Sequence, residues 1–515
     1  GRRLALSAAI VSLATALSRV LGLLREVVVA YFFGARGAIN AFTVAFQIPN
    51  LVRILVADAA LQAAFVPVFS ELLEKGERAR AWRVASTLFW LLLLGAGGLT
   101  ALLVLAAPLV IEPFDVADKG LAVGLSRVLF PIVVLLGLFG VVVGILNSYE
   151  HFTVPALTPA FWNVAIIVGL VVGVPRTEGD ARLYVYAGSI LVATLIQFLL
   201  PLPWLRGRDD RLRLAVDWRD PAVRRVFVLM GPVMLGLGLI NVNAVIGTLF
   251  SSRLIDPNLA PAAIDAAFRV YMLPQGMFSI AVATVLFPAL SRLAAREDVT
   301  GFRRTVGTGL RQIAFLLVPA SVTAAVFAEP IVRLLYQRGA FEPRETDVVA
   351  GALAAFALGL TFNGWMVMLN RGFFSLQAPW TPTVVALANV ALNTLLYAAL
   401  YRVGVWGIPL AISLANVAAA AALLALLRRR IGRIEFRETA AALARITAAS
   451  AALLAAAYPL WRALDAVLGR ATLAQAASLG LALAAGVAVY LVSCRLLGVR
   501  ELETLLSLRA RAPRA

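Results

Sequence analysis

Hydrophobic residues in this chain come in blocks of 20 to 30, separated by short stretches where arginine, aspartate, glycine and proline gather. Inside the blocks there is no two-residue alternation, so they read as helices and not as the roughly ten-residue strands of a membrane barrel. Each block is long enough to cross ~30 Å of hydrocarbon. Fourteen spans are predicted, near 5–33, 38–70, 84–111, 121–147, 155–174, 182–205, 224–251, 262–291, 309–336, 346–375, 380–401, 405–427, 440–464 and 471–494. In lipid every backbone polar group must be satisfied internally, which leaves helices or closed barrels. The expected fold class is therefore an all-α polytopic membrane protein. The first block lacks a small-residue cleavage site and is expected to be a retained span rather than a signal peptide. Gly22, Pro49, Pro131, Pro274 and Gly364 fall in mid-span, where such residues are tolerated and mark kinks beside a cavity.

The pattern repeats. Span two carries I-N-A-F, then Pro49, then A-F-V-P-V-F-S-E; span eight carries I-D-A-A, then Pro274, then V-L-F-P-A-L-S-R. Asn40 to Pro49 and Asp265 to Pro274 are the same distance apart, and the copies lie six spans apart, so they share an orientation. This predicts two six-helix bundles related by a pseudo-two-fold axis along the membrane normal, with a site at their interface. The expected organisation is a first bundle over 1–206, a basic cytoplasmic linker over 207–223, a second bundle over 224–428, two extra helices over 429–497 and a basic cytoplasmic tail over 498–515. The last two spans are rich in alanine and leucine, and small residues suit close helix packing.

Composition sharpens the picture. Of 515 residues 61% are hydrophobic and only 14% charged, with a mean hydropathy of +0.90; a soluble domain is about a quarter charged. The net charge of +18 would suit nucleic acid, but its placement argues against that partner. Taking the N-terminus and alternate loops as one side, 28 of the 46 Lys and Arg residues lie there and 10 lie opposite. By the positive-inside rule both termini are cytoplasmic. The segment R-G-R-D-D-R-L-R-L-A-V-D-W-R after span six is expected along the anionic inner leaflet, with membrane lipids as partners. A single cysteine, Cys494, and a single histidine, His151, leave no basis for a disulfide, a zinc cluster or a Cys/His nucleophile pair. There is no Walker motif and no dinucleotide fingerprint. No cofactor, no metal site and no catalytic residue are expected, and the chain reads as a transporter, not an enzyme.

The remaining eight cationic residues lie within spans. Arg19 is about 14 residues into span one, ~21 Å at 1.5 Å per residue; Arg53 is at a similar depth in span two. Arg25 and, in span eight, Arg269 join them. An arginine at the centre of a membrane helix costs roughly 2.5–3.5 kcal/mol on insertion scales. Arg19 and Arg25 are six residues apart, ~120° around a regular helix, so they converge only if the helix bends, which Gly22 permits. One reading is an internal ion-pair lattice: Arg19 with Glu26, Arg53 with Asp58, and Arg25 snorkelling to the outer interface. The other is an anion site. Arginines outnumber acids here, and the guanidinium fork matches phosphate in two-point fashion; a pyrophosphate suits four such groups.

The runs S-R-V-L-G-L-L-R-E at 18–26, N-A-F-T-V-A-F-Q-I-P-N-L-V-R at 40–53 and A-F-V-P-V-F-S-E at 64–71, with Y-M-L-P and F-P-A-L-S in span eight and R-G-F-F-S-L-Q-A-P-W-T-P at 371–382, resemble the MurJ/MviN family. These are lipid II flippases of the multidrug/oligosaccharidyl-lipid/polysaccharide exporter superfamily, and the resemblance covers essentially the whole chain. It implies a multi-pass protein of the bacterial cytoplasmic membrane. That protein carries undecaprenyl-pyrophosphate-linked disaccharide-peptide from inner to outer leaflet by alternating access through a central arginine-lined cavity, with cell-wall synthesis proteins as further partners. By the resemblance Arg19, Arg25, Arg53 and Arg269 line the cavity, with Ser18 and Asn50 in the same motif as substrate-binding residues. Glu26, Asn40 and Asp58 are the gating or ion-pairing positions, and the lipid tail lies in a groove beside spans thirteen and fourteen. The family carries Asp where this chain has Asn40, which weakens a gating salt bridge at the outer mouth. Spans seven and eleven offer Asn241, Asn243, Asn389 and Asn393 but no carboxylate, against a sodium-coupled mechanism. The alternatives are another exporter of the superfamily, for drugs or polysaccharide-lipids, and a non-transporting scaffold for cell-wall enzymes.

Overall fold

The structure is a computed structural model. It describes the backbone of residues 2–53, 59–208, 210–432 and 436–502, with side chains except at 2–13, 53, 59–60, 62–63, 232–233, 235–237, 239–240 and 436. Among the described residues the regular structure is entirely helical. The helices are α1 (Arg2–Phe33), α2 (Ile39–Arg53), α3 (Ala59–Glu74), α4 (Arg78–Leu105), α5 (Ala107–Ile111), α6 (Lys119–Leu129), α7 (Ile132–Ser148), α8 (Thr153–Gly173), α9 (Ala181–Leu199) and α10 (Pro221–Leu254). They continue as α11 (Ala260–Pro274), α12 (Ile280–Ala295), α13 (Val299–Val326), α14 (Ala328–Tyr336), α15 (Pro343–Ala357), α16 (Leu360–Ser375), α17 (Trp380–Leu400), α18 (Gly407–Ile431), α19 (Phe436–Leu468) and α20 (Thr472–Leu496). Among the described residues ten helical stretches are long and apolar enough to cross a membrane, or eleven if α15 and α16, bent by 42° at the break between them, count as one span. Pro49 lies inside α2, and Pro274 closes α11. After Pro274 the backbone passes through a π-helical turn at Gln275–Ser279 before α12, a device common at functional positions.

Two compact units emerge. The first runs from Gly1 to Ala262 and takes in Arg338–Phe341. Its core joins α3, α4, α7 and α10: Phe65, Phe69, Trp82, Leu88, Val141 and Ile145 pack with Val223 and Val226. Span seven, which follows the basic linker, thus packs on the first unit. Phe65 lies against Gly144, where an added Cβ would come within 2.5 Å of the ring. Buried Trp82 donates its indole N–H to the Tyr149 hydroxyl at 3.1 Å. The segment 338–341 reaches the end of α1: Ala340 N donates to Tyr31 O at 2.8 Å. Gly339 sits there at φ +61°, with Tyr31 O only 2.3 Å from where a Cβ would be, so both conformation and space require glycine.

Asp220 starts α10. Its carboxylate accepts from Ala222 N at 2.8 Å and holds Arg80 of α4 through Nε at 3.1 Å and Nη2 at 3.0 Å. The Arg80 hydrogen bond, aided by the Ala222 N–H, holds this carboxyl below the ordinary range against its partial burial. A depressed carboxyl stabilises the fold above its unfolded pKa of about 3.9, and that contribution is lost as pH falls through the lower folded value. Arg80 is 41% exposed, so solvent screens the pair and the cap dominates. Asp220→Ala should therefore cost about 1–2 kcal/mol at neutral pH. Melting in detergent should show the deficit shrinking below about pH 4.

The second unit comprises Ala263–Gln337 and Glu342–Ala515. One of its cores joins α13 with the last two helices: Phe315, Ile446, Leu453, Leu479 and Tyr490 are buried together, and the Tyr490 hydroxyl donates to Phe315 O at 2.6 Å. α19 and α20 pack closely because Gly486 faces Ala457 and Leu453, as the small residues predicted. Two ion pairs pin the ends of this assembly: Arg333 Nη2 with Asp465 Oδ1 at 2.9 Å and Arg311 Nε with Glu501 Oε1 at 3.1 Å.

Candidate functional site

The face of α1 that carries Ser18, Gly22 and Arg25 packs on α8. These residues are four and three apart, hence on one stripe of the helix. α1 runs through Gly22 without interruption. Asn163 donates its amide to Ser18 O at 3.4 Å and to Pro159 O at 2.9 Å, and a Cβ on Gly22 would meet that same amide at 3.9 Å. One turn on, the Arg25 guanidinium lies over the Trp162 ring, 4.8 Å from its centroid. Trp162 is itself fixed by donating to Thr194 Oγ1 at 3.0 Å, and that hydroxyl donates to Ile190 O at 2.7 Å. Arg25 also pairs with Glu26, Nε to Oε1 at 3.2 Å. At 8% exposure Arg25 is buried, which corrects the reading that it snorkels to the interface: the Trp162 face and the Glu26 carboxylate replace its water. The Arg19–Glu26 half of the ion-pair lattice is corrected too, while its Arg53–Asp58 half lies outside the described residues. Glu26 pairs with Arg25, while Arg19 is half-buried and makes no ion pair or hydrogen bond among the described residues.

Asn40 opens α2 and is 1% exposed. Its Nδ2 donates to Ala35 O at 3.1 Å, Gly37 O at 3.1 Å and Asn258 O at 2.7 Å, and its Oδ1 accepts from Ala262 N at 2.9 Å. Gly37 N adds a bond to Asn258 O at 2.7 Å. The amide thus ties the α1–α2 loop to the α10–α11 loop through backbone alone. A carboxylate could accept from Ala262 but not donate to the carbonyls. Asn50, one residue past Pro49, is half-buried. The side chain of Arg53 and the whole of Asp58 lie outside the described residues.

In the second unit Arg269 pairs one turn back with Asp265, Nε to Oδ2 at 2.9 Å, both about one-third exposed (31% and 35%). Near them Asn363 of α16 donates to the buried Tyr271 hydroxyl at 2.8 Å. Asn393 donates to Asn389 O at 3.0 Å, a bond within α17 rather than between helices. No cluster of three metal-ligating His, Cys, Asp or Glu side chains occurs among the described residues. Sequence reasoning did not single out Trp162 and Asn163. Their signal was available: F-W-N places an indole and an amide in the middle of an apolar span, where polar groups are there to bond across helices.

Chemically, the first unit offers one guanidinium held rigidly on an aromatic face and a second, Arg19, with its fork uncommitted among the described residues. Such groups bind anions by charge-assisted, two-point hydrogen bonds. A family model described as lipid II flippase MurJ matches residues 29–466, a range that holds Arg53 and Arg269 and begins after Arg19 and Arg25. The lipid II flippase MurJ of Burkholderia cenocepacia is 31% identical over 393 residues, 74% of this chain and 75% of the relative. A solved lipid II flippase MurJ in an inward closed conformation superposes with a TM-score of 0.79 at 23% identity, covering 95% of this chain and 98% of the other. An inward-facing multidrug resistance transporter of the MATE family, in the MOP superfamily, gives 0.70 at 14% identity over 80% and 94%. The chain belongs to the lipid II flippase MurJ family.

Proposed function

We propose that this chain moves lipid II across the bacterial cytoplasmic membrane, and that Arg19, Arg25, Arg53 and Arg269 receive its pyrophosphate. The observation that carries the reading is the family match over 29–466, joined to an arginine buried at 8% exposure in an apolar helix. Such a charge is costly in a span, and a stacked, hydrogen-bonded guanidinium is preorganised for an anion. Ser18 and Asn50 act beside the arginines, with Glu26 setting the pose of Arg25. No covalent bond changes; the work is binding and release on two sides. The protein crosses the membrane fourteen times, counting α1, α2–α3, α4, α6–α7, α8, α9, α10, α11–α12, α13, α15–α16, α17, α18, α19 and α20, with both termini cytoplasmic. The apolar faces of α19 and α20 accept the lipid tail, and enzymes of wall synthesis take the exported precursor. The MATE likeness supports a shared fold, and an arginine-rich site disfavours the cationic drugs that acidic cavities bind. Expression in a bacterium depleted of its own flippase tests the reading. Growth should be restored by the wild-type chain and not by Arg53→Ala. Failure of a wild-type chain that reaches the membrane would count against it.

A further inference from the structure

The segment joining α9 to α10 is not a slack linker. Its backbone is clipped along α4: Arg213 N donates to Ser86 Oγ at 3.0 Å, Asp217 N donates to Thr87 Oγ1 at 3.1 Å, and the Trp90 indole donates to Arg213 O at 2.9 Å. Asp220, tied to Arg80, fixes the end. Ser86 and Thr87 are buried hydroxyls in an apolar helix, and these clips give them the partners such groups need. The clips lie where α4 passes from Arg78, Arg80 and Arg83 to the apolar run Leu88 to Leu94. That is the depth of a membrane–water boundary, where tryptophan concentrates.

With the backbone clipped, Leu212 packs on the core of the first unit, and three apolar side chains after it are turned away from the protein. Leu214, Val216 and Trp218 are 83%, 50% and 65% exposed. The arginines 211, 213 and 219 are exposed around them; Arg213 pairs with Asp210 at 2.9 Å, and the one acid within 211–219 is Asp217. An apolar row flanked by cations has one complementary surface in a protein whose neighbouring helix crosses the bilayer: lipid acyl chains beneath anionic headgroups.

We propose that 211–219 is an interfacial strap for anionic phospholipid, with Leu214, Val216 and Trp218 inserted among acyl chains and Arg211 and Arg219 on lipid phosphates. The strap fixes α4 to the start of α10 at the membrane surface, so leaflet charge bears on both helices. The test uses the full chain with Cys494→Ser and Leu214→Cys carrying a polarity-sensitive fluorophore. The neutral quencher acrylamide then probes it in detergent, in phosphatidylcholine vesicles and in phosphatidylcholine–phosphatidylglycerol vesicles. Quenching should fall several-fold from detergent to the anionic vesicles, and less in phosphatidylcholine alone. Arg211→Gln with Arg219→Gln should restore much of it, while a probe at Gly207→Cys should stay accessible throughout. Equal quenching of the 214 probe in all three media would overturn the proposal. So would shielding already complete in detergent, which means a protein segment covers the row, or shielding that ignores both phosphatidylglycerol and the arginine changes.

Discussion

Arg19→Ala is expected to leave protein level unchanged and to slow lipid II flipping by about ten- to a hundredfold. The two halves of that expectation have separate causes. Arg19 makes no ion pair or hydrogen bond among the described residues, so its removal strands no described partner. A charge-assisted hydrogen bond contributes roughly 1.5–3 kcal/mol, and 1.4 kcal/mol is a factor of ten in binding, which sets the range. Arg25→Ala should behave differently. It removes the cation from the Trp162 face and from Glu26 in a buried setting, so stability should fall along with transport. Arg25→Lys keeps charge but loses the planar fork that stacks and pairs, and should recover stability more than flipping. Immunoblots of membranes beside a flipping assay separate these outcomes. A fully active Arg19→Ala would mean that Arg19 is no ligand, and a well-folded, active Arg25→Ala would mean that the Trp162 stack does nothing for the site.

Asn40→Leu should be among the most damaging single changes outside the arginines. One buried amide satisfies three carbonyls and one N–H. A leucine of similar size makes none of these four bonds; Gly37 O keeps the residue-40 backbone N–H, but Ala262 N loses its side-chain acceptor, and a buried group so orphaned costs about 1–3 kcal/mol. Even if Gly37 N keeps Asn258 O partly satisfied, the loss is several times what a surface change costs. Membrane yield and melting temperature should both drop sharply. Asn40→Asp preserves the acceptor for Ala262 N and loses the three donations, so it should fall between the wild-type chain and leucine. Equal melting of Asn40→Leu and wild-type protein would show that the α10–α11 loop is held by something else.

Much of this could be read without coordinates because lipid allows few solutions. Long apolar blocks dictate helices, and Pro49 and Pro274 marked the helix interior and the π-helical neighbourhood where they are found. The cost of a buried charge singled out Arg19, Arg25 and Arg269 before any neighbour was known. What stayed hidden is rotational. Periodicity puts Ser18, Gly22 and Arg25 on one stripe but not on α8, and Trp162 reaches Arg25 only through packing between distant segments. Arg19 and Glu26 share a face by spacing, yet Glu26 pairs with its chain neighbour because the Trp162 stack turns the Arg25 fork toward it. Asn40 read as a missing charge, whereas its amide is a donor to loop carbonyls, and loop carbonyls leave no mark in a sequence. Ser86 and Thr87 have as partners backbone groups of a segment more than a hundred residues away, which no local pattern marks.

The most direct test is flipping by the purified chain in vesicles that carry fluorescent lipid II in both leaflets, followed with a membrane-impermeant reagent that destroys only outward-facing fluorophore. Wild-type protein should expose the inner-leaflet pool, and Arg19→Ala, folded and inserted to the same extent, should do so about ten- to a hundredfold more slowly. A wild-type rate no faster than protein-free vesicles, or an Arg19→Ala rate equal to wild type, would contradict the account.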